Sequence, residues 1–98
     1  MNAPVPVAVK AWGELRGERN LPGALHILVA GQHAGGAERV GGEWLAFAGY
    51  AERPTVHATA GEAVGAVLKS SWARKLGARK ASRVYWSDKA TRRAGGAR

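Results

Sequence analysis

The segment from Thr59 to Gly77 carries the signals of a complete amphipathic helix, and it constrains the fold more than any other part of the chain. Thr59 and Glu62 have the spacing of a capping box, in which the hydroxyl accepts an amide hydrogen bond and the glutamate reaches back. Apolar residues recur at helical spacing and form one stripe: Val64, Val67, Leu68, Trp72 and Leu76. Gly77 is the residue type that most often ends a helix. The pattern predicts a helix over about 60–76 with one buried face.

Four segments ahead of this helix have the hydrophobic patterns of strands. Residues 5–12 and 25–29 alternate with a period of two, which is typical of strands that are buried on one face. Residues 44–50 are apolar on both faces, which favours an interior position in a sheet. Residues 55–59 form a short fourth strand after Pro54, and the alternation predicts that Val56 faces inward.

The remaining segments are a fifth strand and two connections. Residues 82–86 alternate apolar and polar side chains, so that Arg83 and Tyr85 are predicted to share the outward face of a strand. Residues 17–23 contain Gly and Pro and have the chemistry of turns. The glycine-rich residues 31–38 indicate a flexible connection.

This order of elements predicts the α+β class. We expect a small antiparallel sheet of four to five strands, with one amphipathic helix at about 60–76 packed on a face. Residues 1–86 form a single domain in this interpretation. Residues 87–98 are small, polar and basic, with no apolar side chain large enough to pack, and they are predicted to be a flexible, disordered basic tail.

The charge of the chain is concentrated in its last third. Residues 1–62 contain five basic and six acidic side chains, whereas residues 63–98 contain ten basic side chains and a single acid, Asp88. A nearly neutral part followed by a strongly basic part points to a polyanionic partner, most often nucleic acid. Simple solubility and an acidic protein partner are the alternatives.

Basic and aromatic residues alternate from Lys69 onward, a mixture that is typical of proteins that bind single-stranded nucleic acid. Trp72 lies on the apolar stripe and is predicted to belong to the core, whereas Tyr85 is the candidate for stacking on a base. The predicted nucleic-acid-binding residues are Lys69, Arg74, Lys75, Arg79, Lys80, Arg83, Tyr85, Lys89, Arg92 and Arg93.

No pattern predicts catalysis, a metal site or a cofactor. The chain has no cysteine, and His26, His33 and His57 lack metal-ligand spacing, so we interpret them as structural. No apolar stretch is long enough for a membrane helix, and the beginning of the sequence does not resemble a secretory signal. We therefore expect a cytoplasmic protein, and its Ala-, Gly- and Arg-rich composition suggests a prokaryotic or phage origin.

Residues 43–76 resemble the core of HicB-like antitoxins. The matching residues are a strand from Trp44 to Tyr50, a short strand after Pro54, a Thr-Ala-Gly-Glu-Ala helix start at 59–63 and the amphipathic helix that follows. The resemblance implies a partly RNase-H-like sheet and a role in neutralising a small RNA-cleaving toxin. Members of that family often carry an appended DNA-binding module, which has no counterpart after Ser87.

The sequence therefore predicts a small, non-enzymatic protein that binds DNA or RNA mainly through phosphate contacts. The alternative is a protein-interaction module, such as a HicB-like antitoxin or a phage regulatory protein. That alternative requires an exposed apolar patch, for which Trp12 and Trp44 are the candidates. Pairing of exposed sheet edges leaves a homodimer possible.

Overall fold

A computed structural model describes residues 4–15, 24–49 and 53–95, and within these ranges the chain forms one six-stranded sheet and three short helices. The strands are β1 (Val5–Ala11), β2 (Leu25–Val29), β3 (Gln32–Val40), β4 (Glu43–Ala48), β5 (Thr55–His57) and β6 (Ala81–Trp86). The helices are α1 (Ala60–Leu68), α2 (Ser71–Lys75) and α3 (Asp88–Arg93), with a 3-10 turn at Ala78–Lys80. The predicted α+β class is confirmed.

The sheet is mixed, with the strand order β5-β4-β3-β2-β1-β6. Neighbouring strands are antiparallel except for β1 and β6, which run parallel. The predicted sheet of four to five antiparallel strands therefore did not include β3 or the parallel pairing of β1 with β6. A parallel neighbour needs a crossover connection, and the helical segment between β5 and β6 supplies part of it.

One face of the sheet, which we call the inner face, carries the core. The alternating residues of β1 and β2 are buried there as predicted, among them Val9 and Ile27, which are paired across the two strands. Helix α1 packs over β3, β4 and β5, while α3 packs over β1. We call the opposite side of the sheet the outer face.

Strand β3 occupies the region that the sequence predicted to be a flexible connection, and that prediction is wrong. Its residues 34–37 are all buried small residues, two alanines and two glycines. The reason for the small side chains is clearest at Gly35, where an added Cβ would lie 2.7 Å from Cγ1 of Val67 on α1 and would also strike the carbonyl of Phe47. Helix α1 lies so close to the sheet that β3 cannot carry the large apolar residues by which strands are usually recognised.

The single helix predicted over 60–76 is in fact two helices. Its capping box is present, because Oγ1 of Thr59 accepts a hydrogen bond from the amide of Glu62 at 3.1 Å. The break comes at Ser70, whose backbone is extended (φ −68°, ψ 158°) and whose hydroxyl accepts a hydrogen bond from the amide of Ala73. Serine is a favourable N-cap, so it begins α2 instead of continuing α1.

The predicted disordered tail contains helix α3, so that prediction is wrong for residues 87–95. Ser87 caps the helix, because its Oγ accepts a hydrogen bond from the amide of Ala90 at 3.1 Å. Ala90 is fully buried in the core. An alanine was too small to be recognised as a packing residue, but it lets the helix lie directly against β1.

Three further predictions concern single elements. Val56 does not face the core as predicted: it is paired with Leu45 on the outer face and is 56% exposed. Trp72 was predicted to belong to the core but is only half-buried, and its indole N–H donates to the carbonyl of His33. The turn predicted at residues 17–23 lies outside the described residues.

In the described part of the chain no helix is long and apolar enough to cross a membrane.

Candidate nucleic-acid interface

The outer face carries the two β6 side chains that point away from the core. Tyr85 is 57% exposed and Arg83 is also exposed, whereas Val84 and Trp86 pack against the core. The predicted orientation of this strand is therefore confirmed. The parallel pairing places Tyr85 opposite Ala8, in the outward row of β1.

Lys10 of β1 adjoins Tyr85 on this face, and Trp12 lies further along the same segment. Nζ of Lys10 lies 5.3 Å from the centroid of the Tyr85 ring, which is a cation–π distance. Trp12 follows two residues later and is 38% exposed. We call Arg83, Tyr85, Lys10 and Trp12 the β1–β6 strip. Two cations and two exposed aromatic rings thus share one side of the outer face.

The Trp12 ring contacts the ring of His26 on the same face, and His26 in turn contacts His33. The centroid of the Trp12 ring lies 5.7 Å from that of His26, which in turn lies 5.7 Å from that of His33. His26 is fully buried and His33 is half-buried. Burial lowers the pKa of His33 below its ordinary value of 6.5, and the nearby His26 lowers it further. His33 is therefore uncharged at neutral pH and adds no positive charge to this face.

The acidic residues that the described strands carry on the outer face lie on its other side. Glu38 and Glu43 are exposed on β3 and β4, where they pair with Leu45 and Val40 in the outward rows. Because β2 separates β3 from β1, these carboxylates are at least one strand away from the β1–β6 strip. Among the strand residues that the structure describes, the outer face is therefore divided into a basic half and an acidic half.

The other predicted cations are exposed but do not all lie on this face. Arg79 and Lys80 immediately precede β6, at the Arg83 end of the strip. The remaining six belong to or follow the helices, which pack on the inner side: Lys69 after α1, Arg74 and Lys75 on α2, and Lys89, Arg92 and Arg93 on α3. Lys69 lines a shallow groove with His57 and Glu62. Arg79, Lys80, Arg83 and Tyr85 thus lie on β6 or directly before it, and the other six lie elsewhere.

A hydrogen-bonded carboxylate fixes the end of β1 beside the start of α3. Oε2 of Glu14 accepts hydrogen bonds from Oγ of Ser87 and from the amide of Ala11, both at 2.6 Å. Burial raises the pKa of Glu14, but the hydrogen bonds from Ser87 and Ala11, together with the charges of Lys10 and Lys89, lower it more, so its net pKa lies below 4.5. This carboxylate is therefore ionised at neutral pH.

Sequence reasoning did not identify Lys10 as a site residue, and it considered Trp12 only as part of an apolar patch. The signal that marks both is their position in the outward row of β1, in alternation with Val9 and Ala11. That position indicates a shared site with Tyr85 only when β6 is known to lie beside β1. Trp44, the other candidate for an exposed patch, is only 5% exposed and belongs to the core.

Among the described residues, no group of three or more His, Cys, Asp or Glu side chains is placed to hold a metal ion. Comparison of the chain with protein-family models, with curated proteins and with solved structures gives no match. The geometry of the molecule itself therefore has to carry any functional conclusion.

Proposed function

We propose that this protein is a non-enzymatic nucleic-acid-binding protein whose interface is centred on the β1–β6 strip. The observation that carries the proposal is the 5.3 Å contact of Lys10 with the exposed Tyr85 ring, beside Arg83 on the outer face. Cations provide sequence-independent attraction to phosphates, and exposed aromatic rings provide surfaces on which bases stack.

Two further cations, which directly precede β6 in the chain, extend the interface beyond Arg83. Arg79 and Lys80 lie at its Arg83 end, and the net charge of the whole chain is +8. The predicted contacts of Lys89, Arg92 and Arg93 come from another side of the molecule, so they would act on the same ligand only if it bends around α3. We therefore assign the principal phosphate contacts to Lys10, Arg79, Lys80 and Arg83.

Salt titration tests this proposal. If four to six phosphates are neutralised, the logarithm of the association constant should fall with the logarithm of salt concentration at a slope of about −3 to −4 for a single strand. Fluorescence anisotropy of a labelled oligonucleotide between about 50 mM and about 200 mM salt measures that slope. An affinity that does not change with salt contradicts the electrostatic interface.

A second candidate function, a protein-interaction module, is favoured by a separate observation. Val56 is exposed on β5, at the sheet edge opposite to β6, and lies beside the half-buried Leu45. In this case the resemblance of residues 43–76 to HicB-like antitoxins makes a small RNA-cleaving toxin the expected partner. A stoichiometric protein that co-purifies with the parent protein but not with Val56→Asp supports this second candidate.

A further inference from the structure

We infer that the ligand of the β1–β6 strip is a single-stranded polynucleotide, with bases stacked on Tyr85 and Trp12 and phosphates held by Lys10 and Arg83. The inference deepens the proposed function and rests on it. It adds the form of the nucleic acid and the part that each strip residue plays.

Exposure of the rings favours a single strand over a duplex. Tyr85 and Trp12 stand on a sheet face that no described helix covers, and 57% and 38% of their respective surfaces are exposed. An aromatic ring stacks on a base only if the face of that base is free, and in a duplex the bases already stack on one another. Single strands present such free faces, and each stacked base contributes a large part of the affinity.

The distribution of charge determines where the strand lies. Lys10 and Arg83 are on the β1 and β6 side of the outer face, whereas Glu38 and Glu43 are on β3 and β4. A polyanion is attracted to the first half and repelled by the second. The strand therefore follows β6 and β1 and does not cross the sheet toward β5.

Spacing along the strands suits alternating contacts. Residues two apart on one strand are separated by about 6.6 Å on the same face. Arg83 and Tyr85 are two residues apart on β6, and Trp12 follows Lys10 by two residues, directly after the end of β1. Each segment thus offers one cation and one ring, so that successive phosphates and bases meet partners of the matching kind.

The contact between Lys10 and Tyr85 prepares the site. At an exposed position a cation–π contact is weak, so the ammonium group can move to a phosphate while a base takes its place on the ring. Trp12 is held from its other side by the ring of His26. Two rings that are already placed lose less side-chain entropy on binding than freely rotating ones.

Anisotropy titrations of the full chain with three labelled probes test the inference: oligo-dT and oligo-U of about 12 nucleotides, and a blunt DNA duplex of the same length. We expect the single strands to bind more tightly than the duplex. Tyr85→Ala and Trp12→Ala should each weaken single-strand binding about 5- to 150-fold, because each removes one stacked base. Both substitutions should change duplex binding less than threefold.

Tyr85→Phe is the matched control, because it keeps the ring and removes only the hydroxyl. We expect its affinity for the single strands to stay within about threefold of the parent value. Oligo-dT and oligo-U differ in the 2′-hydroxyl group and in the C5 methyl group, and tighter binding of either one supports the inference. Circular dichroism of each variant shows whether it is folded.

Tryptophan fluorescence of the parent protein gives a readout that does not depend on the Ala variants. Stacking of a base on Trp12 should quench part of the emission, and Trp12→Phe should remove that part of the change. Saturation of anisotropy without any quenching that depends on Trp12 overturns the inference. Equal or tighter binding of the duplex also overturns it, as does single-strand binding that neither Ala variant weakens.

Failure of the proposed function has a different signature. If the parent protein binds none of the three probes at about 50 mM salt, both the nucleic-acid function and the inference are overturned. If it binds them with a steep salt dependence but Tyr85→Ala and Trp12→Ala bind as well as the parent protein, only the inference is overturned. Binding of a protein partner through the strip, in place of any oligonucleotide, also overturns both.

Discussion

Oγ of Ser87 donates a hydrogen bond of 2.6 Å to Oε2 of Glu14. This bond joins the segment after β1 to Ser87, which is the N-cap of α3. The same serine oxygen accepts a hydrogen bond from the amide of Ala90. One hydroxyl group therefore fixes both the start of α3 and its position against the sheet.

Replacement of this hydroxyl should destabilise the protein measurably. We expect Ser87→Ala to lower the free energy of unfolding by about 1 to 3 kcal/mol, because it removes a helix cap and a hydrogen bond to a charged group. Urea denaturation followed by circular dichroism measures the change. Ser70→Ala is the control: it removes the cap of α2 but no hydrogen bond to a carboxylate. An effect of Ser87→Ala no larger than that of Ser70→Ala contradicts this account.

Glu14 should make the protein less stable in acid. Its pKa in the folded state lies below 4.5, so its ionised form contributes stability that is fully present above that pH. That contribution is lost as the pH falls through the folded-state pKa, because the carboxylate is then protonated. Thermal unfolding between about pH 6 and about pH 3 should show a smaller decrease for Glu14→Gln than for the parent protein. Identical profiles of the two proteins would show that Glu14 does not cause the loss of stability in acid.

His33 should make stability depend on pH in the mildly acidic range. Its pKa in the folded state is below 6.5, so the unfolded chain takes up the proton first. Stability is therefore highest above pH 6.5 and decreases as the pH falls toward the folded-state pKa. We expect a lower Tm at about pH 5.5 than at about pH 7.5, and a smaller difference in His33→Gln. An equal pH dependence of the Tm in His33→Gln and in the parent protein would contradict this account.

Two glycine substitutions should have opposite effects. Gly35→Ala places a methyl group 2.7 Å from Cγ1 of Val67, so we expect a loss of about 1 to 3 kcal/mol in the free energy of unfolding. Gly65 lies in α1 with no atom within 4 Å of an added Cβ. Gly65→Ala should therefore raise the free energy of unfolding by about 0.5 to 1 kcal/mol, because alanine favours a helix. Urea denaturation compares the two, and a neutral Gly35→Ala contradicts the close packing of α1 on β3.

The sequence was most informative where side chains are large and their period is regular. The alternation in β1, β2 and β6 predicted both the strands and their buried faces, and the Thr59 cap predicted the start of α1. It was least informative where small residues pack closely. Buried Gly35 in β3 and buried Ala90 in α3 have the composition of a loop and a tail, so their elements were missed.

The candidate site was only half predictable for a similar reason. The orientation of Arg83 and Tyr85 followed from alternation within one strand. That Lys10 contacts Tyr85, and that Trp12 continues the same side of the outer face, follows from the pairing of β6 with β1, which joins distant parts of the chain. Period and propensity describe local structure and do not determine which strands become neighbours.

The position of β1 between β2 and β6 has a consequence for synthesis on the ribosome. Residues 5–11 leave the exit tunnel before residues 81–86, which form one of their two neighbouring strands. Until residues 81–86 emerge, the nascent chain exposes an open hydrogen-bonding edge, which is a site for mispairing. The proposed strip does not exist before that moment, because half of it arrives with β6. Incomplete chains would therefore be unable to bind the ligand of the finished protein.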